Sequence, residues 1–289
     1  YIKGKLLSKI AFVEDDVVEV DRNSRGGLNS ITLGSGQVIE SDLYIDCTGW
    51  KRLLGPEPDT VDCTGRLFCD TAIAGPAQYS DKDSETRPYT TCSAVEHGWI
   101  WKTPNQSRIG SGLVFNRSIT DIDEAKDFFV DYWDGRVDRD SLRVLNWTPY
   151  YHKNAWVDNV CCNGLSSGFI EPLESTGIAL ICSGVIEIVE AVQGHFYNDI
   201  DIELYNMKMV HFFEDCIDFV SMHYSHNQRD TGKFWKYVQD TFKMSEAQKF
   251  YEHETLNNPT TIPVGGDFMF QGENWAMFIC QLLDHDLMN

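Results

Sequence analysis

Asn163-Gly164-Leu165-Ser166-Ser167-Gly168-Phe169-Ile170-Glu171-Pro172-Leu173-Glu174-Ser175-Thr176-Gly177 is the stretch on which the reading of this chain turns. It lies between the apolar run Val160-Cys161-Cys162 and a long apolar segment that opens at Ile178. Glycines let a backbone approach a ligand closely. A helix that begins at the end of the stretch presents free N–H groups to an anion. Two carboxylates, Glu171 and Glu174, stand beside that entrance. The plain alternative is a Gly-rich turn before a helix, and the stretch alone does not choose.

Working outward, Val160-Cys161-Cys162 reads as a short buried strand. Far upstream, Asp42 to Gly49 reads as a strand ending in the small polar corner Thr48-Gly49. Such a corner is either an ordinary turn or a place where a dinucleotide lies against the C-terminal edge of a sheet. Further strands are expected at Ala11–Val13, Asp16–Val20, Ser30–Leu33, Leu67–Cys69, Thr71–Ala74 and Tyr89–Val95. Gly98–Pro104 and Arg108–Phe115 read as a hairpin closed by Asn105-Gln106-Ser107. Trp99 and Trp101 then share one face of a strand. They form either a slab of core or a wall over a flat ligand.

Helical patterns take over later. Thr120 to Glu124 opens one helix with an N-cap and early acids. The segment from Ile178 to Val192 is apolar on much of its surface and is expected to be buried. Ile202–Val220 and Thr231–Phe242 carry core-facing aromatic and methionine stripes. The fold class is therefore mixed α/β (α+β), with strands dominating the first half and helices the last third.

Composition narrows the function. The chain has 289 residues, 42% of them hydrophobic, enough for a substantial core, and a formal net charge of −20. That balance argues against a nucleic-acid surface and an anionic membrane surface. Nine cysteines without a C-x-x-C pair read as reduced thiols of a cytoplasmic protein. No zinc spacing and no run of 18 apolar residues is present, so neither a metal site nor a membrane span is expected. His195, His211, His223 and His226 default to surface or core. The chain opens on Tyr1 and runs almost at once into strand-like sequence, as the later part of a longer protein would.

Three pieces now stand in order: Asp46-Cys47-Thr48-Gly49, the Trp99-x-Trp101-x-x-Pro104 segment, and Gly168-Phe169-Ile170-Glu171-Pro172-Leu173-Glu174-Ser175-Thr176-Gly177. Their order and wording resemble the flavin-dependent tryptophan halogenases over most of the chain. The resemblance implies an FAD-dependent aromatic-hydroxylase-like fold. It implies a reaction in which reduced FAD, oxygen and chloride or bromide make hypohalous acid, which halogenates tryptophan or another electron-rich indole. A separate NAD(P)H-dependent flavin reductase is the implied partner, and a homodimer stays open. By the same resemblance, Glu174 is the catalytic glutamate. Thr48, Gly49, Gly164, Leu165, Ser166, Gly168 and Gly177 face the cofactor, and the N–H groups of Thr176 and Gly177 cradle the halide. Trp99, Trp101 and Pro172 lie on the substrate side, joined by Phe270, Glu273 and Trp275 from the late segment. Glu171 is structural.

The chain departs from the family pattern in two ways. No G-x-G-x-x-G at a strand–helix turn is found, only Gly34-Ser35-Gly36 and Gly110-Ser111-Gly112 in β contexts. No lysine inherits the family's catalytic lysine by motif. Residues 1–195 are thus expected to form a partial FAD-binding module with a β-sheet insertion, and 196–289 a truncated helical substrate module. The 289-residue chain by itself is expected to be inactive. Two other readings stay open: an aromatic flavin monooxygenase, and a non-catalytic protein that keeps the fold.

Overall fold

The computed structural model describes residues 9–193, 196–229, 231–258, 262, 266 and 268–283. Among these, fourteen strands form four sheets. The first sheet is an antiparallel meander of β1 (Val17–Arg22), β2 (Leu28–Leu33) and β3 (Val38–Ile39). β4 (Tyr44–Asp46) and β5 (Thr60–Asp62) follow and enter two other sheets. The largest sheet is built on β6 (Thr71–Ala77), β7 (Thr91–Val95), β8 (Gly98–Pro104), β9 (Ile109–Phe115) and β10 (Arg143–Asn146), in the order β10-β6-β9-β8-β7. Its β8–β9 hairpin keeps full register from Gly98↔Phe115 to Pro104↔Ile109, as alternation and the Asn105–Ser107 turn predict.

The two remaining sheets hold the site. One orders β14 (Gly168–Phe169), β11 (Tyr150–His152) and β5. The other orders β12 (Trp156–Val157), β13 (Val160–Cys162) and β4. β13 runs parallel to β4, with Cys162 opposite Asp46, so both chains leave at the same edge.

A four-residue helix α1 (Lys82–Glu85) and the packing helix α2 (Ile122–Tyr132) belong to the β half. Asp121 caps α2 by accepting the Asp123 N–H. The helical part is α3 (Thr176–Val192), α4 (Asp199–Met222), α5 (Lys233–Thr241), α6 (Glu246–Asn257) and α7 (Gly272–Leu283). α4 carries the core: Asn198 caps it in a reciprocal box with Asp201, and it buries Tyr205, Met209, Phe212, Phe213 and Cys216 against Tyr151, Trp156, Cys161 and Ile170. This cluster joins residues on both sides of position 195.

Three expectations need correction. Ala11–Val13 lies outside the strands. Leu67–Cys69 is no strand either, because the Arg66 and Leu67 amides both donate to the Cys63 carbonyl and close a turn there. The apolar helix α3 is not buried all round. Leu180, Gly184, Ile188 and Ala191 face inward, while Ile178, Val185, Ile186 and Val189 stand 76%, 48%, 56% and 49% exposed. Apolar composition fixes that a helix can be buried, and the number of neighbouring elements fixes how much of it is. Among the described residues, no helix is long and apolar enough to cross a membrane.

Candidate active site

The parallel pair β4–β13 creates the site. Asp46 ends β4 wholly buried. Its Oδ1 accepts the Thr48 N–H at 2.8 Å and the Thr48 hydroxyl at 2.7 Å. Its Oδ2 accepts the Leu54 and Gly55 N–H groups at 2.7 and 2.8 Å. Four bonds to one carboxylate curl the chain back after the strand and fix the corner Thr48-Gly49. The Asp46 carbonyl accepts the Asn163 N–H at 3.0 Å and the Ser166 hydroxyl at 2.5 Å. The two glycine-bearing stretches, more than a hundred residues apart, are thereby brought to one sheet edge, as ligand sites of α/β sheets are.

The glycines of the second stretch differ in what they do. Gly164 has φ +75°, a left-handed conformation that disfavours side chains. At Gly168 a Cβ would lie 2.7 Å from the Phe213 ring and 2.8 Å from the Tyr150 carbonyl, so internal packing accounts for that glycine. At Gly177 a Cβ would meet nothing within 4 Å. Ser166 is buried and Leu165 half-buried, its carbonyl held by the Tyr150 hydroxyl at 2.6 Å. A cavity of about 310 Å³ opens between Gly164, Leu165, Pro172, Gly177 and Ile178. A planar ligand can lie there against bare backbone.

α3 starts without a side-chain cap. Its N-cap residue Ser175 sits at φ 56°, ψ 29°, and the Ser175 N–H closes a turn on the Pro172 carbonyl. The first-turn N–H groups of Thr176 and Gly177 therefore keep their anion-binding capacity. The Thr176 side chain is buried beside Cys216, leaving the backbone as the donor.

The two glutamates of the turn have opposite surroundings. Glu171 is wholly buried. The Tyr224 hydroxyl donates to its Oε1 at 2.5 Å, and the Cys69 N–H points to Oε2 at 3.4 Å. Trp99 Nε1–H donates to the Tyr224 oxygen at 3.1 Å, which ties β8 to the turn. Burial raises the Glu171 carboxyl to about 7, against the pull of the Tyr224 hydrogen bond. Glu174 instead keeps a third of its side chain exposed, and its Oε1 lies 2.6 Å from His223 Nε2. His223 Nδ1 faces the Phe219 carbonyl at 3.1 Å. With one ring nitrogen on a carbonyl and the other on the carboxylate, the imidazole is fixed between Phe219 and Glu174. Nearby Cys92 is raised to about 11, chiefly by burial and then by the charge of Glu174, so it is a neutral thiol.

His223 and Tyr224 are the site residues that sequence reasoning missed. Their one local signal is the Phe219–His223 spacing of four on α4, which puts ring against ring. The tryptophans separate: Trp99 is core, while half-buried Trp101 lies over Gly112, where any side chain would overlap its indole. Of the late residues, Phe270 stacks on Phe219 at 3.8 Å, one ring from His223. Glu273 is exposed in the first turn of α7. Trp275 is fully buried, stacked on Tyr251 at 4.5 Å. It packs among Phe219, Met222 and Ile279.

The model of the tryptophan halogenase family matches residues 7–282. The chain belongs to this family. It is 28% identical to the tryptophan 6-halogenase ThaL of Streptomyces albogriseolus over 272 residues, covering 93% of this chain and 51% of that protein. It is 30% identical to the tryptophan 7-halogenase RebH of Lentzea aerocolonigenes over 230 residues, covering 78% and 43%. Its fold matches the flavin-dependent halogenase Xcc4156 of Xanthomonas campestris with a TM-score of 0.82 at 26% identity, covering 96% of this chain and 57% of that one. The chain spans about half the length of the curated relatives it matches. The fold is thus that of the flavin-dependent halogenases.

Proposed function

We propose that the protein is a flavin-dependent halogenase that uses reduced FAD, oxygen and chloride or bromide to substitute tryptophan or another electron-rich indole. The observation that carries this reading is the placement of Glu174 one residue before Ser175 and the open first turn of α3. A proton acceptor and an anion cradle stand side by side, next to space that the chain's own atoms leave free at Gly177.

Each residue then has a task. Reduced FAD, when bound, would activate oxygen, and oxygen would supply the oxidising equivalents that convert halide into electrophilic halogen. Leu165 and Gly164, with Ser166 and the Thr48-Gly49 corner behind them, give it a backbone surface, and Gly168 shapes that surface through packing. The N–H groups of Thr176 and Gly177 hold the halide. His223 clamps Oε1 of Glu174, so Oε2 is the oxygen that takes the proton lost from the substituted ring carbon. Trp101, Pro172, Phe270 and Glu273 border the substrate, whereas Trp99 and Trp275 act by packing. A separate flavin reductase supplies the reduced cofactor. All nine cysteines are free thiols, which supports a reducing, cytoplasmic setting.

The test is halide-dependent product formation from an indole with reduced FAD, read by the chlorine isotope pattern in mass spectrometry. Glu174→Gln is expected to lower turnover by about 100-fold or more while flavin affinity persists. A hydroxylated product without halogen, or undiminished turnover in the variant, overturns the assignment.

A further inference from the structure

A second cavity, about 670 Å³, shares no lining residue with the first. It lies where the corner after β4 meets β11, and its chemistry is unlike the rest of the chain. In a protein of net charge −20, its wall presents Arg22, Lys51, Arg52 and Arg117 against the single acid Glu57. Arg117 is answered by Asp70 at 3.2 Å. Arg22 and Arg52 spend their donors on carbonyls: Arg22 on Leu54 and Gly55 at 3.2 and 2.7 Å, Arg52 on Ser166 and Pro56 at 2.8 and 3.4 Å. Carbonyls orient a guanidinium without neutralising it.

Arg52 is built into place. Its backbone sits at φ 43°, ψ 50°, a left-handed conformation that is costly for a non-glycine residue and gathers at functional sites. Gly55 is bare where Arg52 crosses it, since a Cβ there would overlap the arginine side chain. Arg52 Nη2 is buried and meets no acceptor. Beside it His152 is held neutral, its ring pushed down to about 4 by burial and then by the charge of Arg52. Aromatic rings complete the wall. Trp50 is 54% exposed, and both Trp50 and Trp147 set their edges against Phe169.

We propose that this cavity binds a phosphate-bearing nucleotide, with Arg52 and Lys51 on the phosphates and Trp50 stacked on the base. A fixed guanidinium fork suits phosphate oxygens, and an exposed indole suits a planar base. The inference does not depend on the halogenase reading. Two sources offer this chemistry: a free nucleotide, or the adenosine diphosphate half of FAD.

The experiment titrates the full chain with ADP and follows tryptophan fluorescence and calorimetric heat. Saturable binding is expected, weakened at least fivefold by exposed Lys51→Ala and more by Arg52→Gln, and weakened by Trp50→Ala, which also removes the fluorescence response of the stacked indole. Circular dichroism confirms that Arg52→Gln is folded, and Lys51→Ala provides the reading if it is not. ADP displaced by FAD assigns the site to the cofactor's diphosphate; ADP bound beside FAD assigns it to a separate nucleotide. No ADP binding at 1 mM (on the order of a weak nucleotide site), or binding indifferent to Lys51→Ala and Arg52→Gln, overturns the proposal.

Discussion

Replacing Glu171 by Gln should change how stability depends on pH, in a direction and size set by burial. The carboxyl has no exposed surface. Desolvation disfavours its charged form, and the Tyr224 hydroxyl only partly offsets this, so it titrates at about 7 in place of 4.5. With about 1.4 kcal/mol per pH unit, that separation corresponds to about 3 kcal/mol. The sign follows from linkage. The folded state holds its proton more tightly than the unfolded state, so the contribution is fully present below pH 4.5 and is lost as pH rises through 7. His152 works the other way: its folded value is depressed to about 4, so its contribution is present above its ordinary value and is lost as pH falls. The wild-type profile alone therefore mixes two opposing slopes. Glu171→Gln removes one and leaves the other, and the difference between variant and wild type isolates it. Measured by urea unfolding, that difference should shift toward the variant by about 3 kcal/mol between pH 4.5 and 8. Parallel profiles, agreeing to within about 0.5 kcal/mol across the range, would refute the buried, proton-holding description of Glu171.

Three further outcomes are expected. Gly168→Ala should cost about 1–3 kcal/mol in urea unfolding, because the new Cβ meets the Phe213 ring and the Tyr150 carbonyl inside 3 Å. Gly177→Ala should leave stability unchanged or raise it by up to about 1 kcal/mol, since alanine is the better helix former and nothing surrounds that position, while flavin or halide affinity falls in a binding titration. His223→Gln should lower halogenation by about 10-fold or more and alter its pH profile, with flavin binding intact, because Glu174 loses the partner 2.6 Å from its Oε1.

Local pattern made the β half legible. The β8–β9 hairpin follows from alternation and a three-residue turn, and β1, β2 and β6 fall where β-branched residues cluster. The pairing of β13 with β4 was not legible, since nothing local in Val160-Cys161-Cys162 names Tyr44-Ile45-Asp46 as its partner. Asp46 was passed over for the same reason: its four amide and hydroxyl donors come from residues that reach it only once the corner is folded. His223 is the residue that closes α4, and only the packing of α4 on the turn brings it to Glu174. Sidedness failed for Trp275 and α3 alike. An aromatic or aliphatic residue reads the same in sequence whether it faces a neighbour or open space, and the neighbours of α7 and α3 are set by tertiary contacts. The candidate motif could be singled out in the sequence because its glycines, glutamates and helix entrance are contiguous.

That contiguity poses a physical problem which the fold resolves. Ser175 holds a left-handed conformation with no side-chain cap, an arrangement that costs of order 1 kcal/mol or more and that a free turn would relax. It persists because both ends of the short segment are fixed. Upstream, Glu171 is locked in the interior by Tyr224, itself held by Trp99. Downstream, Thr176, Leu180 and Gly184 seat α3 in the core. Gly184 is bare where Asn163 meets it, and the Asn163 side chain donates to the Ile181 carbonyl at 3.1 Å, so α3 is also tied to the start of the same stretch. Between two anchored ends, Glu174 and the first-turn N–H groups have little freedom. The buried glutamate thus serves the exposed one: Glu171 contributes rigidity, and that rigidity lets Glu174 and the helix entrance keep a fixed mutual position before any ligand arrives.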